Sequence, residues 1–299
     1  MPRGNLETIF PRALVLSTVR KSIESKEYRA AFLMCRKHRI DMNLLIDHDY
    51  DQFSACINEF VEQIPEVDFL NLLITSLKDE DVTKAMYQSS GKSPVPENKL
   101  NSVCDMMRMA LESKKSSKYH QPILTSLAKK SPPALEDAML RIASIKTEES
   151  PEASEEALKY LIFLVNVDSL YNVALGIYDF PLVLLVAQHS HKDPREYLPF
   201  LTNLKKLEEN YRKHKIDDHL EKFGKALVSL SLCHDRNEEF LEYMNKHRLY
   251  KLGLTCFEPK SEMYNMVLLN FAVYQTEQCE FSQSGMRKLQ NYLLIMPSF

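Results

Sequence analysis

The chain has 299 residues, 44% of them hydrophobic, with 38 Lys plus Arg against 41 Asp plus Glu, a net charge of −3. That is enough chain for a large core, and so balanced a charge gives no whole-molecule field to attract nucleic acid. Only 6 residues are glycine and none is tryptophan. About 7% glycine is usual, so the shortage argues against Rossmann, phosphate-loop and turn-rich β folds, whose turns and phosphate cradles need it.

Taken in order, the chain reads as helix after helix. Leu16, Val19 and Ile23, then Tyr28, Ala31, Phe32 and Cys35, fall in three- and four-residue steps, as one helix face requires. A break at Ser25–Glu27 predicts two helices, over 12–25 and 26–37. Residues 43–47 form a short turn, and Asp49 to Gln52 read as a cap and first turn. Phe53, Cys56, Ile57, Phe60, Val61 and Ile64 make an amphipathic stripe stopped by Pro65, and 67–77 is an apolar helix. Residues 87–98 are a loop by composition.

Helical signal resumes at Lys99, with Val103, Met106, Met107, Ala110 and Leu111 on one face. The pattern then predicts helices over 121–130 and from Pro133 to about 144, with Pro133 as a first helical residue. A polar loop over 146–156 feeds a capped helix at 158–167. Further helices are expected over 170–176, 180–189, 197–211 (entered through Asp193-Pro194-Arg195), 217–233, 237–246, 250–257 and 262–274. Strict alternation never persists, so strands are not expected.

Helix pairs recur roughly every 35–45 residues, the scale of tetratricopeptide and HEAT units. The expected fold is therefore all-α, an α-solenoid of degenerate helical hairpins. One echo stands out: Arg36-Lys37-His38-Arg39-Ile40-Asp41 against Arg212-Lys213-His214-Lys215-Ile216-Asp217, with a shorter copy at Lys246-His247-Arg248-Leu249. Basic residues at equivalent helix ends would suit the helix dipole; chance is the other explanation.

The chemistry-bearing residues make no constellation. The cysteines (Cys35, Cys56, Cys104, Cys233, Cys256, Cys279) lie at least 21 residues apart, which rules out zinc-ribbon and CxxC redox patterns. They read as small apolar groups in a reduced, intracellular chain. Met1–Glu7 carries no apolar signal region, and neither 158–167 nor 180–187 is long enough to span a membrane. His189-Ser190-His191 with Asp193 is the best metal candidate, but two histidines at i, i+2 diverge on a helix, so a helix-end cap is expected. His214, His219 and His234 lack zinc spacing and read as solvated surface.

The acid pairs Glu155-Glu156, Glu208-Glu209 and Glu238-Glu239 fall on polar faces or first turns. Gly91-Lys92-Ser93 lacks the upstream glycine and strand of a phosphate loop. Three basic clusters, Arg36–Arg39, Lys114–His120 and Tyr211–Lys215, would bind phosphates only in a salt-sensitive, sequence-independent way and read chiefly as solvated surface. Met106, Met107 and Met109 read as helix core. No catalytic, cofactor-binding or metal residue is assigned, and no cofactor is expected.

Several stretches carry a resemblance. Met1–Ala13 (MPRGNLETIFPRA), Leu77–Tyr87 (LKDEDVTKAMY), Glu155–Leu161 (EEALKYL), Tyr178–Leu184 (YDFPLVL) and above all Ser190–Leu201 (SHKDPREYLPFL) resemble the family of the largest Elongator subunit. The likeness covers about residues 1–270; from Cys279 to Phe299 the sequence departs from the family pattern. The resemblance implies residues 1–13 as an exit segment from a propeller missing here, 14–278 as a helical solenoid segment, and 279–299 as a divergent tail, a truncated or alternative end.

By that resemblance the chain is a non-enzymatic scaffold segment. It supports modification of the tRNA wobble uridine (U34) by organising other subunits: the catalytic acetyltransferase and radical subunit, and its propeller partner. The full subunit would dimerise through a region missing here. Direct tRNA contact by this segment would be weak, no membrane is involved, and the location is cytoplasmic with the nucleus as a second compartment. The alternatives are a solenoid adaptor of trafficking or ubiquitin-ligase assemblies, and a helical enzyme.

Overall fold

The computed structural model describes residues 9–87, 91–190, 193–233 and 235–279. They form α1 (Arg12–Glu24), α2 (Tyr28–Lys37), α3 (Leu44–Asp47), α4 (Tyr50–Ala55), α5 (Ile57–Gln63), α6 (Val67–Ser76), α7 (Val82–Ala85), α8 (Lys99–Ser113), α9 (His120–Lys129) and α10 (Leu135–Glu148). Then follow α11 (Pro151–Leu164), α12 (Val167–Ile177), α13 (Phe180–Gln188), α14 (Pro194–Lys205), α15 (Glu209–His219), α16 (Phe223–Ser231), α17 (Asn237–His247), α18 (Tyr250–Thr255) and α19 (Glu262–Cys279). No strand occurs among the described residues.

The chain divides into two compact units between Val173 and Ala174. In the first, α1 packs on α2, α2 on α5, α5 on α8, α6 and α8 on α9, and α9, α10 and α11 on one another. Its core holds Tyr28, Phe53 and Phe60 edge to face, with ring centroids 5.2–6.5 Å apart, a geometry that adds to area burial. In the second unit α13 packs on α14, α14 on α15, α15 on α16, α16 on α17 and α18, and α18 on α19. Its core is built from Ala226, Leu227, Leu230, Phe240, Tyr243, Met244, Tyr250 and Val267. Each helix meets mainly its near neighbours in sequence, the packing of a repeat array.

Helix starts follow side-chain chemistry. Asp49 accepts from the Gln52 amide at 3.1 Å, Ser150 from Ala153 at 3.1 Å, Asp179 from Leu182 at 3.1 Å and Asp193 from Arg195 at 2.8 Å. Each satisfies an amide with no partner within its helix. Pro151, Pro181 and Pro194 sit within the first two positions of their helices, where the missing N–H costs nothing.

Helix ends solve the glycine shortage differently. Among the described residues, seven non-glycine positions take the left-handed backbone, including Lys26, Arg39, Glu221 and Arg248 at φ 52–59°. At four turns the residue beyond donates back across the helix end: Glu27 to Ser22 O at 2.8 Å, Ile40 to Cys35 O at 2.9 Å, Lys222 to Asp217 O at 2.8 Å and Leu249 to Met244 O at 3.1 Å. This is the closure usually made with glycine. The echo is thus partly structural. Arg36–Ile40 and Lys246–Leu249 are the same turn, whereas Arg212–Asp217 lies inside α15, whose own turn comes at Glu221.

Several boundaries differ from the sequence pattern. The expected loop over 146–156 is mostly helix, because α10 runs to Glu148 and the Ser150 cap starts α11 at Pro151 rather than near 158. The expected helices over 197–211 and 217–233 are three, α14, α15 and α16, broken at 206–208 and at the left-handed Glu221. The stripe from Phe53 is split at Cys56. Ala134 rather than Pro133 precedes the first turn of α10, and α7 had no predicted counterpart.

The feature least visible in the sequence is a buried ion pair in the first unit. Lys99 and Asp47 are both 0% exposed. The Lys99 ammonium donates to Asp47 Oδ1 and Oδ2 at 3.0 Å each and to the Glu80 carbonyl at 2.7 Å. Asp47 Oδ2 also accepts from the Val82 amide at 2.9 Å. Burial pushes the Asp47 carboxyl up from its ordinary value, opposed by the Val82 amide and by Lys99. Asn43 continues the node, donating to Ser76 O at 2.8 Å and accepting from the Lys78 amide at 3.0 Å. Gly91 closes it from outside, since a Cβ there would collide with the Asp47 carbonyl oxygen, and the Lys92 amide donates to His48 O at 2.7 Å.

Breaking a buried pair leaves an uncompensated charge, which costs roughly 3–5 kcal/mol, whereas replacing both partners with apolar groups is far milder. Lys99→Met is therefore expected to lower the urea midpoint sharply, and Asp47→Leu combined with Lys99→Met to recover much of the loss. A double variant as unstable as the single one would show that the pair is not the dominant interaction there.

Candidate interaction surface

The residues singled out by sequence, where described, serve separate parts of the fold. His189 follows the last turn of α13, and Asp193 is committed to capping α14; His191 and His234 lie outside the described residues. Among the described residues no group of three or more His, Cys, Asp or Glu is placed to hold a metal ion. Cys35, Cys56, Cys104 and Cys233 are buried and unpaired by disulfides. Burial pushes the Cys35 and Cys104 thiols up to about 12, so they stay protonated and are poor nucleophiles. Gly91-Lys92-Ser93 docks its own loop: Ser93 Oγ accepts from the Asp51 amide at 3.1 Å and donates to Asp49 Oδ1 at 3.2 Å.

One acid of each pair serves a neighbouring cation. Glu155 pairs with Lys159 at 2.7 Å, and Glu209 with Lys213 at 2.7 Å. Glu239 accepts from the Tyr211 hydroxyl at 2.8 Å, Arg236 at 2.9 Å and Lys215 at 3.3 Å. Burial pushes the Glu239 carboxyl up, but these three donors outweigh it and hold it below the usual carboxylate range.

The three basic clusters are less free than solvated surface. Arg36 lies over Phe69 at 4.7 Å and Lys37 over Phe10 at 5.5 Å. Lys114 pairs with Glu62, Lys118 covers Tyr119 at 4.6 Å, and His120 Nε2 meets Glu149 at 2.8 Å. In the third cluster Arg212 lies over Phe180 at 5.4 Å, while Arg236 and Lys215 lie over Tyr211 at 3.7 and 4.9 Å. Cation–π contacts of this kind are worth about 0.5–1 kcal/mol where exposed. The methionines divide: Met107 is core, whereas Met109 is 56% exposed.

His214 corrects the surface reading. It is 1% exposed, because α15 turns this face onto α16, where Nδ1 meets the Ala226 carbonyl at 2.9 Å. The other histidine of α15, His219, is exposed and lies tilted against Phe200, with ring centroids 4.8 Å apart. The described residues form two shallow surface grooves. One runs along α14 past Pro194, Arg195, Leu198 and Thr202 with a volume of about 540 Å³, overlapping the stretch whose sequence carried the strongest resemblance. No helix of the described residues is long and apolar enough to cross a membrane.

The family model for the ELP1 alpha-solenoid matches residues 12–204. The chain belongs to this family. The fold is accordingly an α-solenoid, as the succession of helical hairpins in each unit displays. Elongator complex protein 1 of Oryctolagus cuniculus is 40% identical over 297 residues, covering 96% of this chain and 22% of the relative. The namesake of Schizosaccharomyces pombe is 41% identical, covering 93% of the chain, and that of Saccharomyces cerevisiae 40% identical, covering 89%. The chain spans about a fifth of the length of these relatives, 22% in each case.

The burial of His214 makes the fold sensitive to pH. Burial holds its pKa below the ordinary 6.5, although the Ala226 carbonyl, Glu239 and Asp218 favour the charged form and Lys215 opposes it. Below pH 6.5 the unfolded chain binds a proton that the folded chain refuses, so His214 takes stability away as the pH falls through that range. In His214→Gln the drop in urea midpoint between neutral and mildly acidic pH should be smaller than in the parent. Equal drops would place the sensitivity elsewhere.

Proposed function

We propose that the chain is a non-catalytic scaffold segment of the Elongator assembly, supporting modification of the tRNA wobble uridine by organising other subunits. The observation that carries this is the match to the ELP1 alpha-solenoid over 12–204. Internal commitment of Glu155, Glu209, Glu239 and much of the basic clusters fits that reading, since those groups fix helix packing. The partners in this reading are the catalytic acetyltransferase and radical subunit and its propeller partner. Dimerisation of the whole subunit belongs to a region outside this chain, and the setting is the cytoplasm, with the nucleus as a second compartment.

The test is capture of partners by the tagged chain from cell extract, read by mass spectrometry, with helicity checked by circular dichroism. Recovery of the catalytic subunit and its propeller partner is the expected result. A folded chain that recovers neither, or recovers trafficking or ubiquitin-ligase components instead, would overturn the reading in favour of a spacer or another kind of adaptor.

A further inference from the structure

In the first unit the start of α1, the turn after α2, the end of α6, the residue after α7 and the end of α9 surround a groove of about 550 Å³. Its lining includes Arg12, Arg39, Lys78 and Lys129 but a single carboxylate, Asp41. Asp41 is taken by Lys78 at 2.8 Å. Arg12, Arg39 and Lys129 have no carboxylate within ion-pair distance among the described residues, so three positive charges converge on one groove of a chain whose net charge is −3.

Two local features reinforce the positive field. Arg12 is the first residue of α1, which has no side-chain cap and no acid in its first turn, so a cation sits where the helix dipole favours an anion. Arg39 is held by its left-handed backbone at φ 52° in the recurrent turn whose counterpart is Arg248. The wall between the charges is apolar: Leu72 is 39% and Met86 51% exposed. Among the described residues no aromatic side chain lines the groove, so they offer none of the stacking platforms by which proteins grip single-stranded nucleic acid.

We propose that this groove docks an acidic peptide segment with an apolar anchor, contributed by a partner protein. Its carboxylates meet Arg12, Arg39 and Lys129, and a leucine-like side chain rests on Leu72 and Met86. This deepens the scaffold reading by placing one contact on it. A peptide experiment needs no other subunit, so failure here leaves the capture experiment untouched, and the reverse holds too.

The probe is a short fluorescein-labelled Glu–Leu peptide, followed by anisotropy against the full chain, with Glu–Ser and Lys–Leu peptides and a single-stranded RNA oligonucleotide alongside. Arg12→Glu combined with Lys129→Glu should weaken the Glu–Leu peptide by at least about tenfold. Arg39→Asn, which tolerates the left-handed backbone, and Leu72→Ser combined with Met86→Ser should each weaken it several-fold. Lys251→Glu in the second unit should change nothing, and added salt should weaken binding. Unchanged binding by the Arg12/Lys129 variant overturns the proposal. So does equal affinity for the Glu–Ser peptide, or tighter groove-dependent binding of the RNA. All these positions are on the surface, and an unaltered thermal melt confirms that the variants are folded.

Discussion

The first unit depends on the buried pair of Lys99 and Asp47. A charged lysine with 0% exposure is tolerated only when its N–H groups have partners, because desolvating an ion is costly. Here two carboxylate oxygens and the Glu80 carbonyl meet that need. The pair also orders the chain around it. Asp47 holds the start of α7 through Val82, and Asn43 joins the end of α6 to α3. Helices of four residues such as α3 and α7 have almost no stability alone. They persist because a satisfied polar node fixes both.

The same economy of partners extends to the surface. Cations that would otherwise form single-sign patches lie on aromatic faces or beside acids of adjacent helices: Arg36 on Phe69, Arg212 on Phe180, and Arg236 and Lys215 on Tyr211 with Glu239 shared beneath. Long cationic stems cover apolar surface while their heads remain near water. In a repeat array, where each helix touches few others, such contacts help to set the spacing of successive hairpins. The basic groove of the first unit differs because Arg12, Arg39 and Lys129 lack acids of their own among the described residues.

Membership of the ELP1 alpha-solenoid family puts the weight on the faces of the helix stack. Scaffolds work through faces, and a face is defined by which side chains a stack of helices leaves unpaired. The left-handed turns matter here because they place Arg39 and Arg248 at fixed points on the array. Glycine would close those turns with less strain but would carry no side chain to display.

Helical class, most helix positions, the Asp49 cap and the stop at Pro65 were legible because they rest on local chemistry: apolar spacing, capping oxygens and missing amides. Resemblance to the Elongator scaffold family was legible in short runs such as Ser190–Leu201. Boundaries inside 197–233 were not, since Glu221 is an ordinary residue whose left-handed backbone is imposed by the Lys222 bond to Asp217. His214 read as surface because burial of one residue in a polar helix depends on what packs against it. Lys99 read as a helix start, and its partner lies 52 positions earlier. The sequence by itself determined where helices form and to which family they belong. Only the tertiary structure decided which charges are buried, which are shared and which stay open, because those choices depend on atoms brought together from distant parts of the chain.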